Sequence, residues 1–358
     1  MDIFKIAKGI FAAKVLKRPF YMHLFVTRRC NFKCKMCNVW KIKNEREMPI
    51  DEIRTIAKKL RKLGLTIVVL TGGEPILRKD IVEIVKSFSE LGIKVRLQTN
   101  GMLLTEKKLD DLVKAGVDEI SVSIDTLDNK KQSEICGVSA DVVGNAVKVL
   151  KMIVRKMPKS MPTANVVVSH KNLHEIPDMI RYFDSIGVWL NFSIVSLSFD
   201  RDDSLFRAKS DDFAFTKSDK EKTERVFREI IALKKMGYRT LSSMRFLKQT
   251  IECIKSGNER WDCEGGIMYF SIFPDGRFAM CDEITTKHNI LDKNFIETFQ
   301  SKAFRNSMRN VQRNCKGCFF SCWRETSNLI NSPDVIFDRF LTLVRVKKRK
   351  LFHKTEHK

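Results

Sequence analysis

No stretch of this 358-residue chain approaches the roughly 18 uninterrupted apolar residues that a membrane span needs. The N-terminus shows no apolar core followed by a small-residue cleavage site, so the sequence predicts no secretory leader and a cytoplasmic chain. There is no low-complexity tract and no clear internal repeat. Acidic residues are in short supply, 43 against 66 Lys plus Arg, which leaves a net charge of +23. What is present is the composition of a folded chain: 43% hydrophobic and 30% charged residues, enough length for a core without disulfide staples. Ten cysteines in a reducing compartment point away from disulfides and toward metal binding or catalysis.

From Tyr21 to Ile194 a strand-then-helix pattern recurs. Short apolar runs at Met22–Val26, Ile67–Leu70, Val95–Gln98, Ile120–Ile124, Asn165–Val168 and Leu190–Ile194 read as strands. Helical periodicity fills Ile50–Leu63, Ile81–Leu91, Glu106–Ala115, Asp141–Met152 and Leu173–Ile186. Gly64, Gly92, Gly116 and Gly187 stand where C-caps belong. Repeated alternation in one direction implies parallel strands with crossover helices, too few for a closed eight-stranded barrel. Chemistry then gathers at the C-terminal strand ends. Beyond residue 195 the alternation fades. Phe199–Phe215 reads as a loop, and Lys220–Lys235 and Met244–Lys255 as helices. Residues 259–330 show little regular pattern except a hairpin, Met268–Phe273 and Arg277–Met280 around Pro274-Asp275-Gly276.

Directly after the first strand, Cys30-Asn-Phe-Lys-Cys34-Lys-Met-Cys37 places three thiols within eight residues. Three thiolates on one short loop can hold three corners of a [4Fe–4S] cluster and leave the fourth iron open; with a ligand from elsewhere they can also hold zinc. Packing gives no reason for such a cluster at a strand end.

This segment resembles the cluster-binding loop of radical S-adenosylmethionine (radical SAM) enzymes. Three later segments agree in order and position. Thr71-Gly72-Gly73-Glu74-Pro75 follows the second strand, where the family has GGEP. Gln98-Thr99-Asn100-Gly101 follows the third, and Ser121–Asp125 closes the fourth. The resemblance covers about residues 20–195. It implies a [4Fe–4S] cluster bound by Cys30, Cys34, Cys37 and SAM, and cofactor contacts from Gly72, Gly73, Glu74, Pro75, Asn100, Ser123 and Asp125. The glycines would let backbone approach the bound amino acid, Glu74 would accept from its ammonium group, and Ser123 and Asp125 would bind ribose hydroxyls. Two departures are plain. Met36 stands where many members have an aromatic residue, and Ile135-Cys136-Gly137 where many have Arg-Gly, so the SAM carboxylate needs another partner.

The last quarter holds Cys263, Cys281, Cys315, Cys318 and Cys322. Cys263 and Cys281 flank the hairpin and Cys315-Lys-Gly-Cys318 is a chelating pair; four thiolates can close a cubane or bind zinc. The pattern resembles the twitch or SPASM auxiliary-cluster extension of radical SAM enzymes, the shorter twitch type in particular. That implies one auxiliary [4Fe–4S] cluster on Cys263, Cys281, Cys315 and Cys318, with Cys322 as the rival ligand. Cys253 reads as a core thiol.

The fold expected is therefore α/β: a partial (βα)6 TIM-like barrel with a small Cys-rich C-terminal auxiliary-cluster domain. Its parts are a basic apolar N-terminal helix (1–19), the core (20–195), a connecting segment (196–258), the auxiliary domain (259–330) and a basic tail (331–358). The activity implied is reductive cleavage of SAM to a 5′-deoxyadenosyl radical that abstracts hydrogen from a peptide, small-molecule or lipid substrate, with flavodoxin or ferredoxin as electron donor. A non-catalytic iron–sulfur electron-transfer protein is the alternative, but it leaves Gly72–Pro75 and Ser123–Asp125 without purpose. A zinc-bound nucleic-acid-binding protein is another, but a three-thiolate loop that leaves one ligand open is a poor structural zinc site, and the basic tails lack the interleaved aromatics of nucleic-acid stacking. Both ends are basic: residues 1–20 carry net +4 and 338–358 net +6. Ile3, Ile6, Ile10 and Leu16 can share a face of the first helix, with Phe4, Phe11 and Val15 beside it. Phe337, Phe340, Leu341 and Val344 precede Lys347-Lys348-Arg349-Lys350. Such ends suit peripheral contact with an anionic membrane, and within the enzyme class a membrane-lipid substrate.

Overall fold

A computed structural model describes residues 3–195, 205, 213–216, 218–257, 260–315 and 317–355. Its elements run α1 (Ile3–Leu16), β1 (Tyr21–Thr27), α2 (Ile50–Leu63), β2 (Ile67–Gly72), α3 (Ile81–Ser89), β3 (Lys94–Thr99), α4 (Glu106–Lys114), β4 (Glu119–Ser123), α5 (Asn129–Cys136), α6 (Val142–Lys156), β5 (Thr163–Val168), α7 (Ile176–Ser185) and β6 (Trp189–Ile194). Then follow α8 (Asp219–Lys235), α9 (Met244–Ser256), β7 (Tyr269–Ile272), β8 (Arg277–Ala279), β9 (Thr285–Asn289), α10 (Phe295–Gln300), α11 (Lys302–Asn314), α12 (Ser321–Asn331) and α13 (Pro333–Thr355).

Among the described residues the strands form one sheet in the order β6-β5-β4-β3-β2-β1-β7-β8-β9. The first six are parallel, as the alternation predicts, and β6 and β9 are its edges, so the barrel is open. Strand β7 joins β1 in parallel, in register from Tyr21 with Tyr269 to Leu24 with Ile272. The Cys-rich region thus continues the barrel's own sheet. The hairpin β7–β8 is antiparallel around the expected turn.

Alternation along each strand divides the molecule. Met22, Leu24, Val68, Leu70, Val95, Leu97, Val122, Ala164 and Phe192 face the crossover helices and are buried in the main core. Some helices start where a side chain takes an orphan amide, as Thr105 does for Lys108 and Asp141 for Gly144. Gly64 closes α2 in the left-handed conformation, with φ +89°.

Several expectations need correcting. Leu173–Ile186 opens as a 3-10 turn over Leu173–Glu175, and α7 starts only at Ile176, with Pro177 in its first turn. Helix α5 was not anticipated, because its sequence, NKKQSEIC, buries only Gln132, Ile135 and Cys136. Residues 259–330 hold three strands and three helices rather than little pattern. The C-terminal tail is helical to Thr355. In α1 the packed face is Gly9 and Ala13, whereas Leu16 is 50% exposed. A Cβ on Gly9 would lie 2.5 Å from Thr66 Oγ1, so only a glycine lets this helix sit so close to the strand ends. Most of Phe199–Phe215 lies outside the described residues. Cys253 is buried in α9.

Candidate active site

The inward residues of the strands line one continuous cavity of about 1130 Å³. Among them are Tyr21, His23 and Phe25 on β1, Val69 and Thr71 on β2, Arg96 and Gln98 on β3, Glu119, Ser121 and Ser123 on β4, Asn165 on β5, and Asn191 and Ser193 on β6, with Ile67, Val167 and Trp189 as apolar neighbours. Most are polar, and they pair across strands: Arg96 Nε to Glu119 Oε2 at 2.8 Å, Thr71 Oγ1 to Gln98 Oε1 at 3.1 Å, Asn191 Nδ2 to Asn165 Oδ1 at 3.1 Å. A polar residue at every second place in an otherwise buried strand is the sequence signal that reveals this wall.

The thiols of Cys30, Cys34 and Cys37 line the same cavity. Their loop is held by the end of α5. Lys33 N donates to Cys136 O at 2.9 Å and Lys35 N to Ile135 O at 3.0 Å, so the helix's orphan carbonyls are satisfied by loop amides. Gly137 closes α5 at φ +65°, and a Cβ there would lie 2.6 Å from Lys33 O. Cys136 thus stands beside the thiols, packed with Phe32, Cys30 and Cys34. Burial pushes the Cys30 thiol up to about 11 and raises Cys37; Cys34 is raised by its hydrogen bond with Cys136 and by burial. Ligation of a metal by these groups therefore releases protons. Met36 lines the cavity and packs beside Ile135 and Val195.

The loop after β2 is zipped to the cysteine loop. Gly73 N donates to Thr27 O at 2.9 Å and Glu74 N to Arg29 O at 2.8 Å. A Cβ on Gly72 would lie 2.2 Å from Thr27 O, and one on Gly73 2.1 Å from Arg29 O. The glycines serve the approach of one backbone to another. Glu74 is fully buried, outside the cavity lining. Its carboxylate accepts from Ile76 N at 3.0 Å, Thr99 Oγ1 at 2.8 Å and Asn100 N at 2.7 Å, clamping this loop to the end of β3. Burial raises its pKa. Pro75 begins the short turn that follows. Asn100 lines the cavity and donates from Nδ2 to Asn31 Oδ1 at 2.8 Å, tying β3 to the cysteine loop. Ser123 is exposed to the cavity.

Asp125 also lines the cavity, and its Oδ1 accepts from Val167 N at 2.8 Å. Burial raises its pKa from 3.8 to about 6. The folded chain thus holds this proton over a range where the unfolded chain has lost it. The stability it contributes is complete below about pH 4 and is lost as pH rises through 6, on the order of 3 kcal/mol in all. Asp125→Asn keeps the acceptor and removes the titration. Its melting temperature should match the wild type at pH 4 and exceed it at pH 8, as calorimetry at the two pH values will read.

The second cysteine set gathers behind the β7–β8 hairpin. Burial raises the Cys263, Cys281 and Cys318 thiols, Cys318 to about 12. Proximity adds to it: Cys263 feels Cys315, Cys281 feels Cys318 and Cys263, and Cys318 feels Cys263 and Cys315. Cys263 Sγ accepts from Gly265 N at 3.3 Å and from Tyr269 Oη at 3.4 Å. Cys322, in the first turn of α12, is raised by burial and by its neighbours Asp282 and Cys318. Of the five C-terminal thiols it alone lines the cavity.

Beside Cys322 lie two residues that sequence reasoning missed. His23 Nδ1 pairs with Asp282 Oδ1 and Oδ2 at 3.0 and 3.1 Å, its Nε2 with Tyr21 Oη at 3.2 Å, and Ser271 Oγ donates to Asp282 Oδ1 at 2.5 Å. His23, Asp282 and Cys322 offer ligand atoms within 4.8 Å of one another. Both ring nitrogens are already engaged, however, so the group reads as a buried hydrogen-bond relay in the cavity wall. Asp282 directly follows Cys281, which is the one signal that marked it. Trp323 stacks on Tyr269 at 5.1 Å between centroids and lies 4.5 Å from the His23 ring, an aromatic bridge between the second thiol set and the cavity.

Residues 24–183 match the model of the Radical SAM superfamily. That segment is a radical SAM domain. A GTP 3′,8-cyclase of Aquifex aeolicus is 34% identical over 187 residues, 49% of this chain and 57% of its own. A PqqA peptide cyclase of Bradyrhizobium diazoefficiens is 31% identical over 168 residues, 46% and 43% of the two chains. The chain thus spans only about half the length of these curated relatives. In fold it resembles Streptococcus suis SuiB bound to precursor peptide SuiA, with TM-score 0.65, 16% identity and coverage of 86% of this chain and 70% of that one. It also resembles native anSMEcpe with bound AdoMet and Cp18Cys peptide, with TM-score 0.61, 19% identity and coverage of 82% and 83%. A thiol donor set opening on a largely apolar cavity with convergent polar strand residues fits an iron–sulfur cluster and SAM.

Proposed function

We propose that this chain is a radical SAM enzyme that acts on a substrate bound in the barrel lumen. The observation that carries the reading is the single cavity that joins the Cys30, Cys34 and Cys37 thiols to Ser123, Asp125 and Asn100 at the strand ends and to the polar wall below them. Cys30, Cys34 and Cys37 would hold a [4Fe–4S] cluster. Such a cluster would supply the electron for reductive cleavage of SAM to methionine and a 5′-deoxyadenosyl radical able to abstract hydrogen from substrate. The chain's own part is to position and to exclude water. The α5 carbonyls set the cysteine loop, Glu74 fixes the glycine loop, Ser123 and Asp125 offer acceptors to ribose hydroxyls, and Met36 covers the adenine side. Arg96, Glu119, Asn165 and Asn191 offer both charges and neutral amides to a polar substrate, and the hydrogen-bonded His23–Asp282 pair stands in the wall beside it. A peptide suits such a wall, and the solved structures similar in fold include two bound to peptides. A one-electron donor such as flavodoxin or ferredoxin would reduce the chain. Anaerobically reconstituted protein with SAM and a strong reductant should form 5′-deoxyadenosine; none from protein fully loaded with iron would sink the proposal.

We assign a second [4Fe–4S] cluster to Cys263, Cys281, Cys315 and Cys318, and leave Cys322 to the cavity wall. Cys318→Ala should then lose half of the bound iron, whereas Cys322→Ala keeps it. Iron analysis with electron paramagnetic resonance of the two variants decides, and the opposite pattern would make Cys322 the ligand.

A further inference from the structure

We propose that the N-terminal mouth of the barrel is a docking surface for an anionic lipid bilayer, a property separate from SAM cleavage. Six of the nine large apolar side chains that stand exposed among the described residues are on two helices: Phe11, Val15 and Leu16 on α1, and Ile336, Phe337 and Phe340 on α13. These helices are far apart in sequence, yet both lie at the N-terminal strand ends. Gly9 of α1 packs on Thr66, just before β2. Helix α13 is tied there by Lys234 Nζ to Thr342 Oγ1 at 2.8 Å and by Arg349 to Asp184 at the end of α7. Phe11, Phe337 and Phe340 line the same end of the cavity that runs up the lumen to the cysteine loop. Phe11, Ile336, Phe337 and Phe340 therefore rim one opening, and Val15 and Leu16 stand exposed farther along α1.

Charge chooses the occupant. Exposed Lys8, Lys14 and Arg18 flank the apolar residues of α1, and exposed Lys347 and Lys348 continue α13. A second copy of the chain would bring the same positive face against this one, with net +23 on each molecule. Phenylalanines amid lysines match the two layers of an anionic interface, headgroup charge outside and acyl chains beneath. No helix among the described residues is long and apolar enough to cross a membrane, so the contact is peripheral.

The test is co-sedimentation of the full, iron-loaded chain with vesicles of phosphatidylcholine alone and of phosphatidylcholine with phosphatidylglycerol. Binding to the anionic vesicles only is expected, weakening as salt is raised. Phe11→Ser, Phe337→Ser and Phe340→Ser together should weaken it by at least about tenfold, and Lys8→Gln with Lys14→Gln and Lys347→Gln by a similar factor. Iron content and melting temperature should not change, because the altered side chains are exposed. Absence of binding, binding untouched by either set of substitutions, or a dimer in sedimentation velocity that the Ser variant dissociates would each overturn the proposal. Because 5′-deoxyadenosine is measured without vesicles, failure of docking and failure of the enzymatic reading are told apart.

Discussion

Changing Cys30, Cys34 and Cys37 together to Ala is expected to remove half of the bound iron and all 5′-deoxyadenosine formation, and to leave the fold intact. All three thiols open on the cavity rather than on the main core, so their loss creates no large void there. The loop keeps its backbone anchors to Cys136 O and Ile135 O. Melting should therefore change little. Cys136 is the neighbouring thiol that might be asked to substitute. It is 4% exposed and accepts from Gln132 Nε2 at 3.2 Å, and a single thiol cannot replace three. The auxiliary set is untouched, so the remaining iron reports on it alone. Product from this variant would refute the assignment of the cysteine loop.

Gly73→Ala should be among the most disruptive single substitutions at the site. The added methyl would stand 2.1 Å from Arg29 O and 2.6 Å from Arg28 O. These are main-chain atoms just before Cys30, so no side chain can turn aside and one of the two loops must move. Overpacking of this kind costs typically 1–3 kcal/mol and more when backbone must shift. A loss of about 3 kcal/mol in denaturant unfolding is the expected reading, together with weakened SAM binding, because the same displacement carries Cys30 with it. Gly137→Ala meets Lys33 O at 2.6 Å and should act on the same loop from its other side, though less, with one carbonyl in place of two. If Gly73→Ala binds SAM as the wild type does, the two loops are not coupled as their hydrogen bonds imply.

The barrel was legible because its signals are local. Strand runs of alternating burial, glycines at helix ends and motifs at successive strand ends each need only a few neighbouring residues. The elements that were missed depend on distant partners. Helix α5 has little apolar surface, and it is held by the cysteine loop it caps. Strand β7 is four residues long and gains its place by pairing with β1, nearly 250 residues earlier in the chain. Glu74 was expected to meet the ammonium group of SAM, whereas three donors from its own chain occupy its carboxylate.

By itself the sequence determined the class of chemistry: the spacing of Cys30, Cys34 and Cys37 after a strand, and the order of the motifs that follow, are properties of short segments, whose geometry follows from chain connectivity. Only the tertiary structure decided which polar residues share the lumen, that His23 pairs with Asp282 across 259 positions, that Cys322 alone of the five C-terminal thiols lines the cavity, and that two helices from opposite ends of the chain rim one mouth. The physical reason is that burial and strand register are collective. A strand shows its neighbours which face is inward only when the sheet has closed around it.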